Sequence, residues 1–378
     1  TVHVQLPSSV HAQRPRAASV RSVRARIVRA PMRRPLSTSA TRMATAPFLL
    51  VDLYTVEGVT GRAQAFCYMD AAAPMMRDML QAASELIEGA LLEPGDIGQT
   101  CRDHFTLLGT SGIVGMALSA LDVACWDALS RAAELPLGRY LGRGVDTVSA
   151  YNSNGLGLSD AASGEMVDEA NSLLADGFDA IKIRLGREDP DEDLEAVRAV
   201  RSGIPSTSLL MSDYNQALSV ADALARGRDL EDEGLYWIEE PLAYGDLVGS
   251  AKLAEALTTP IQIGENFSGP DALATAIAMD ALDYAMVDLM RIGGVSGWLR
   301  AAKLAAEAGI PMSSHLYPEV SVHLLAVTPT AHWLEYVDWA EPFILEPISI
   351  SGGRARVPTG PGTGVIWDEE ALARYAVY

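Results

Sequence analysis

Asp213, Glu239 and Glu265 each close a short apolar run, and the two gaps between them are both 26 residues. A βα unit of that length returns the chain to the same rim of a parallel sheet, so the three carboxylates are expected to converge from neighbouring strand ends. Converging carboxylates repel unless a cation neutralises them, and an all-oxygen donor set selects a hard ion such as Mg2+. The competing reading is three separate helix N-caps, because acids at strand ends also serve there. Glu240 follows Glu239 directly and, by strand alternation, is expected on the opposite face.

Two later runs, "YAMVD" and "IPMSSH", end in Asp288 and His315. If their strands are neighbours, the carboxylate bonds one ring nitrogen, fixes the tautomer and raises the basicity of the other. Glu335, closing "HWLE", is the remaining rim acid. His323 and His332 fall off the rim, and His3, His11 and His104 have no visible partner, so these five are read as non-catalytic. In "FDAIKIRLG" Lys182 and Arg184 stand two apart, so on a strand both cations look into one space.

The elements that must position these groups follow from the same rhythm. Eight short apolar runs, from "TVSAYNS" to "HWLEY", alternate with helix-length segments after residue 146. That pattern is the signature of βα units, and eight of them predict an α/β fold with a (β/α)8-type barrel over 146–340, active at the C-terminal strand ends. Before it, two β-like runs around "EGVTG" and a helical stretch over 74–140 predict a separate α+β capping domain over 20–145. Residues 341–378 are rich in Gly and Pro and are expected to leave the barrel and complete the cap.

The net charge of −20 is uneven: residues 1–51 hold nine Arg and no acid, so the remainder stands near −29. An acidic body argues against nucleic acid or an anionic membrane as partner and for a small molecule. Cys67, Cys101 and Cys125 are scattered without metal or disulfide spacing, read as core filler in a cytoplasmic protein. The apolar stretch 112–129 is interrupted by Asp122 and Asp127 and reads as a buried helix, not a membrane span. The Arg-rich start fits a transit peptide or, the preferred reading, a disordered or non-native extension over 1–19 before a strand entering at "SVRARIVRA".

From about residue 20 onward the chain resembles the mandelate racemase group of the enolase superfamily, through "SDYNQ", "WIEEP", "GENFSGP", "MRIGGVSGW", "PMSSHL" and "TPTAHWLE" in order. The resemblance implies Asp213, Glu239 and Glu265 as Mg2+ ligands and abstraction of the α-proton of a 2-hydroxy carboxylate through an enediolate. It also implies Lys182 on the substrate carboxylate, a protonated Glu335 donating to it, Ser153 and Asn215 touching the substrate, and His315 oriented by Asp288 as one base. The family's second base is a Lys at the position of Arg184, and a guanidinium is a poor base. Leu36, Met43, Phe66, Tyr68, Leu316 and Val337 fall where the family lines its substrate pocket, which suits an aryl or alkyl acid; ordinary packing between domains is the alternative. Arg33, Arg34 and Arg42, in the same loop, offer a second carboxylate contact or plain solvation. A mandelate-racemase-like racemase is the leading expectation, an acid-sugar dehydratase with His315 as single base the next, and an inactive binder of Mg2+ and an organic acid the third. A homo-oligomer, an octamer by resemblance, is also expected.

Overall fold

The computed structural model describes residues 18–142, 144–158 and 163–377. Three antiparallel strands come first, β1 (Val20–Ser37), β2 (Arg42–Thr55) and β3 (Thr60–Phe66), paired in that order. Helices α1 (Ala72–Ile87), α2 (Pro94–His104), α3 (Gly112–Ala132) and α4 (Leu137–Leu141) complete the cap as the sequence predicts. α3 lies so close to β3 that a Cβ on Gly61 would sit 2.0 Å from the Ala124 carbonyl oxygen. By length and a mean hydropathy of 1.5 this helix passes for a membrane span. Its packing against β3 and α1, with Asp122 and Asp127 buried, makes it the spine of the cap instead. The three cysteines are buried thiols of the core.

All eight apolar runs are strands: β4 (Thr147–Asn152), β5 (Ala180–Arg184), β6 (Leu209–Asp213), β7 (Leu235–Glu239), β8 (Ile261–Ile263), β9 (Tyr284–Asp288), β10 (Met312–His315) and β11 (Leu334–Tyr336). Neighbours pair in parallel from β4 round to β10, and β11 pairs with β4. Bonds from Ser314 N to Trp333 O and from His332 N to Met312 O close the ring between β10 and β11. Tyr151, Met211 and Trp237 fill the barrel interior beneath the rim.

Helices α5 (Ser163–Ala175), α6 (Pro190–Gly203), α7 (Val220–Leu230), α8 (Leu247–Ala256), α9 (Pro270–Ala278), the pair α10 (Leu289–Ile292) and α11 (Gly294–Ala308), and α12 (Pro318–Val327) follow the first seven strands. The eighth strand is followed only by a single 3-10 turn at Glu341–Phe343, since "EPFILEPISISGG" has two prolines and no helical period.

The chain ends are placed as follows. Ala18 is buried and Ser19 bridges to Leu91, so these two residues, expected in the extension, belong to the packed cap; residues 1–17 lie outside the described residues. The C-terminal segment meets the cap from its start, where Phe343 packs 5.2 Å from Phe48 and Glu341 pairs with Arg33. Its hairpin, β12 (Ile350–Ser351) and β13 (Arg354–Arg356), pairs antiparallel with residues 147–149 of β4, the half of that strand its barrel neighbours leave unpaired. α13 (Glu369–Tyr375) then returns to the cap, where Val377 N donates to Ile27 O and Trp367 Nε1 to Asp52.

Candidate active site

Strand register assembles the rim. Arg184 pairs with Asp213, Asp213 with Glu239, and Asp288 with His315 across adjacent parallel strands. One carboxylate oxygen each from Asp213, Glu239 and Glu265 lies within 4.8 Å of the others, so the triad converges rather than serving three caps. Glu265 reaches it because Gly264 holds φ 133°, where a Cβ would sit 2.7 Å from the Met286 carbonyl oxygen. Trp237 Nε1 and Gln262 Nε2 both donate to Glu239 Oε2 at 3.1 Å. Asn215 donates its N–H and Nδ2 to Asp213, leaving its buried Oδ1 without a partner among the described residues.

Burial, then the charges of Asp213, Glu335 and Glu265, push Glu239 up to about 8 against the pull of Lys182. A site that holds three such oxygens together fits a hard divalent cation, and Mg2+ meets it on donor chemistry alone. Glu240, expected on the far face, sits past the strand end at φ 40° and accepts from Gly264 N and Asn266 Nδ2. It shapes the loop carrying Glu265 and is not part of the triad.

Lys182 Nζ is 2.7 Å from Glu239, 2.9 Å from Glu335 and 3.2 Å from Asp213. Burial would lower its pKa, but Glu239, Glu335, Tyr151 and Asp213 together hold it well above the usual range. His315 Nδ1 is 2.7 Å from Asp288 Oδ2, and Nε2 faces Glu265 at 3.4 Å. Asp288 is itself fixed by Met290 N and Arg291 N on its Oδ1. Burial favours a neutral ring, while Glu265, Glu335 and Asp288 pull it up to about 10; a cation held by the triad would offset the Glu265 charge, the largest of these, and free the ring to accept a proton.

Two further members complete the rim. Glu335 accepts from Lys182, Ser153 Oγ at 2.7 Å and Leu316 N at 2.9 Å. Burial would raise its pKa, but Lys182, His315 and the Leu316 N–H hold the carboxyl down at about 2. Arg184 points its guanidinium at the loop after β4: Nη1 donates to Gly155 O at 2.9 Å, and Nη2 to Ser153 O at 3.0 Å and Ser153 Oγ at 3.3 Å. These bonds tie the guanidinium to the loop after β4.

Of the six pocket positions, Phe66, Leu316 and Val337 meet around one narrow cleft with Trp339. Tyr68 packs its ring 4.8 Å from Phe66, while its hydroxyl donates to Asp288 Oδ2, so it steadies the His315 pair as well. Leu36 and Met43 form a cross-strand pair near the tip of the β1–β2 hairpin and do not line that cleft, because the irregular register after Pro31 carries them beyond it. The tip rests on the barrel mouth through Ser37 Oγ on Leu158 O and Ser39 Oγ on Tyr214 O. Arg33 pairs with Glu341 and Asp338, and Arg34 with Asp176, so both pin the hairpin down.

His323 bonds Gly138 N and Thr363 O, and His332 bonds Tyr236, both away from the rim. Trp237 and Gln262 are functional supports that sequence reasoning missed. Their signal was present, since each is a polar-capable side chain facing inward in a strand of otherwise apolar alternation.

Residues 21–142 match the mandelate racemase / muconate lactonizing enzyme N-terminal domain, and 165–371 the enolase C-terminal domain-like family. The L-talarate/galactarate dehydratase of Salmonella typhimurium is 34% identical over 264 residues, 70% of this chain and 66% of that one. The 3,6-anhydro-alpha-L-galactonate cycloisomerase of Streptomyces coelicolor is 30% identical, over 91% of this chain and 96% of its own. A solved enolase from Bradyrhizobium, complexed with magnesium and mandelic acid, is 39% identical with a TM-score of 0.91, over 96% of this chain and 99% of that one. Lyases and isomerases with a shared cap and barrel surround the sequence, and the chain belongs with them as an enzyme of the enolase superfamily, in its mandelate racemase/muconate lactonizing enzyme group.

Proposed function

We propose that the chain is a Mg2+-dependent dehydratase of 2,3-dihydroxy carboxylates that works with one base, His315. The carrying observation is Arg184. Its guanidinium donates to Ser153 and Gly155, and a guanidinium stays protonated at working pH, so it holds a loop and takes no proton.

Mg2+ held by Asp213, Glu239 and Glu265 supplies the Lewis acid that offsets negative charge on the substrate carboxylate as its α-proton leaves. Lys182, centred among the rim acids, binds the same carboxylate and contributes its fixed positive charge. His315 Nε2 takes the α-proton while Asp288 holds the Nδ1–H. The same proton then passes from His315 to the 3-hydroxyl. The C3–O bond breaks, water departs, and the resulting enol tautomerises to a 2-keto-3-deoxy acid.

A racemase of aryl 2-hydroxy acids is the second reading, favoured by the apolar cleft of Phe66, Leu316, Val337 and Trp339 and by the mandelic acid in the Bradyrhizobium enolase. It requires a base on the face opposite His315, where Arg184 is otherwise engaged.

The test is proton NMR of the enzyme with Mg2+ in deuterated buffer against a panel of acid sugars and mandelate. The expected result is a 2-keto-3-deoxy product carrying deuterium at C3. Interconversion of mandelate enantiomers without dehydration of any acid sugar would overturn the proposal.

A further inference from the structure

The cleft walled by Phe66, Leu316, Val337 and Trp339 does not end in apolar surface. It reaches Gln64 on β3 and Glu319 in the first turn of α12, and its open volume of about 10 Å3 admits one water-sized group. Leu316, next in sequence to His315, is its link to the catalytic rim. Leu316 N donates to Glu335, while the Leu316 side chain lines the cleft, a division made possible by the left-handed backbone at Leu316 and Tyr317.

Gln64 is 2% exposed and Glu319 4% exposed, and Gln64 Nε2 donates to Glu319 Oε2 at 2.9 Å. Gln64 Oε1 is buried and has no hydrogen-bond partner among the described residues. An orphaned buried acceptor costs about 1–3 kcal/mol, so this oxygen calls for a donor from a water or a ligand.

We propose that Gln64 and Glu319 form the far end of the substrate pocket and select the hydroxyl terminus of an aldonic acid over the carboxylate terminus of the matching aldaric acid. The inference rests on the dehydratase reading. A terminal hydroxyl donates to Gln64 Oε1 whatever the protonation state of Glu319. A terminal carboxylate has no proton to give and brings a second negative charge against the Glu319 carboxyl, in a space too dry to screen it. Among the described residues no cation lines this cleft, and Arg33 and Arg34 of the hairpin are paired with Asp338, Glu341 and Asp176.

The experiment compares kcat/KM for matched pairs, gluconate with glucarate and galactonate with galactarate, by formation of the 2-keto acid in the presence of Mg2+. The wild type is expected to prefer the aldonate by about tenfold or more, the worth of one hydrogen bond gained. Glu319→Gln and Gln64→Met, on two different elements, are each expected to shrink that preference severalfold while dehydration continues. Equal use of both members, preference for the aldarate, or a preference unchanged in both variants overturns the inference alone. Turnover of neither member of either pair overturns the dehydratase reading and this inference with it.

Discussion

Two buried acid clusters in this molecule differ in how completely they are answered. At the junction of cap and C-terminal segment, Asp127 is fully buried and accepts from Arg62 N, Arg131 Nε, Thr363 N and Thr363 Oγ. Nearby, Asp52 takes Arg26 and Trp367 Nε1. At the barrel rim, Asp213, Glu239, Glu265, Asp288 and Glu335 have Lys182 and His315 between them. The first cluster is complete within the chain, whereas the second is short of positive charge. Completeness marks a structural device, and the deficit marks a place built for a cation and a reacting anion.

Substitutions in the two clusters should therefore separate chemistry from stability. The largest effect is expected at His315→Asn, with turnover falling about a thousandfold while Mg2+ still raises the melting temperature. Turnover within tenfold of wild type would remove His315 as the base. Next in size, Asp127→Ala leaves several buried donors unmet and is expected to lower the unfolding free energy by about 3 kcal/mol in urea titration. Turnover per folded molecule should stay at the wild-type level, and a catalytic loss there would erase the distinction between the clusters. The smallest change is expected at Arg33→Ala. Its side chain is 69% exposed, so the pairs with Glu341 and Asp338 contribute below about 1 kcal/mol to the melting equilibrium.

Much of this was legible in the sequence because parallel strands register their ends. Equal gaps placed Asp213, Glu239 and Glu265 together, and the runs ending in Asp288 and His315 gave the dyad. What escaped depends on side chains that meet across domains or turn at strand ends. Strand alternation set Glu240 apart from Glu239 but did not give its role, which is to hold Gly264 N and Asn266 from a positive φ beyond the strand. Glu335 gathers Ser153 Oγ, Lys182 Nζ and the Leu316 N–H from separate stretches of the chain. Gln64 and Glu319 lie 255 residues apart and meet only when the cap docks on the barrel, so no local pattern announces them.

Arg184 shows the same limit from the other side. Its spacing from Lys182 placed it on the rim, but only the geometry of Ser153 and Gly155 shows what the guanidinium does. The most direct test of the one-base account follows the α-proton of each mandelate enantiomer separately, in deuterated buffer with Mg2+, by proton NMR. The account predicts that one enantiomer alone exchanges its α-proton and keeps its configuration; exchange of both, with interconversion, would contradict it.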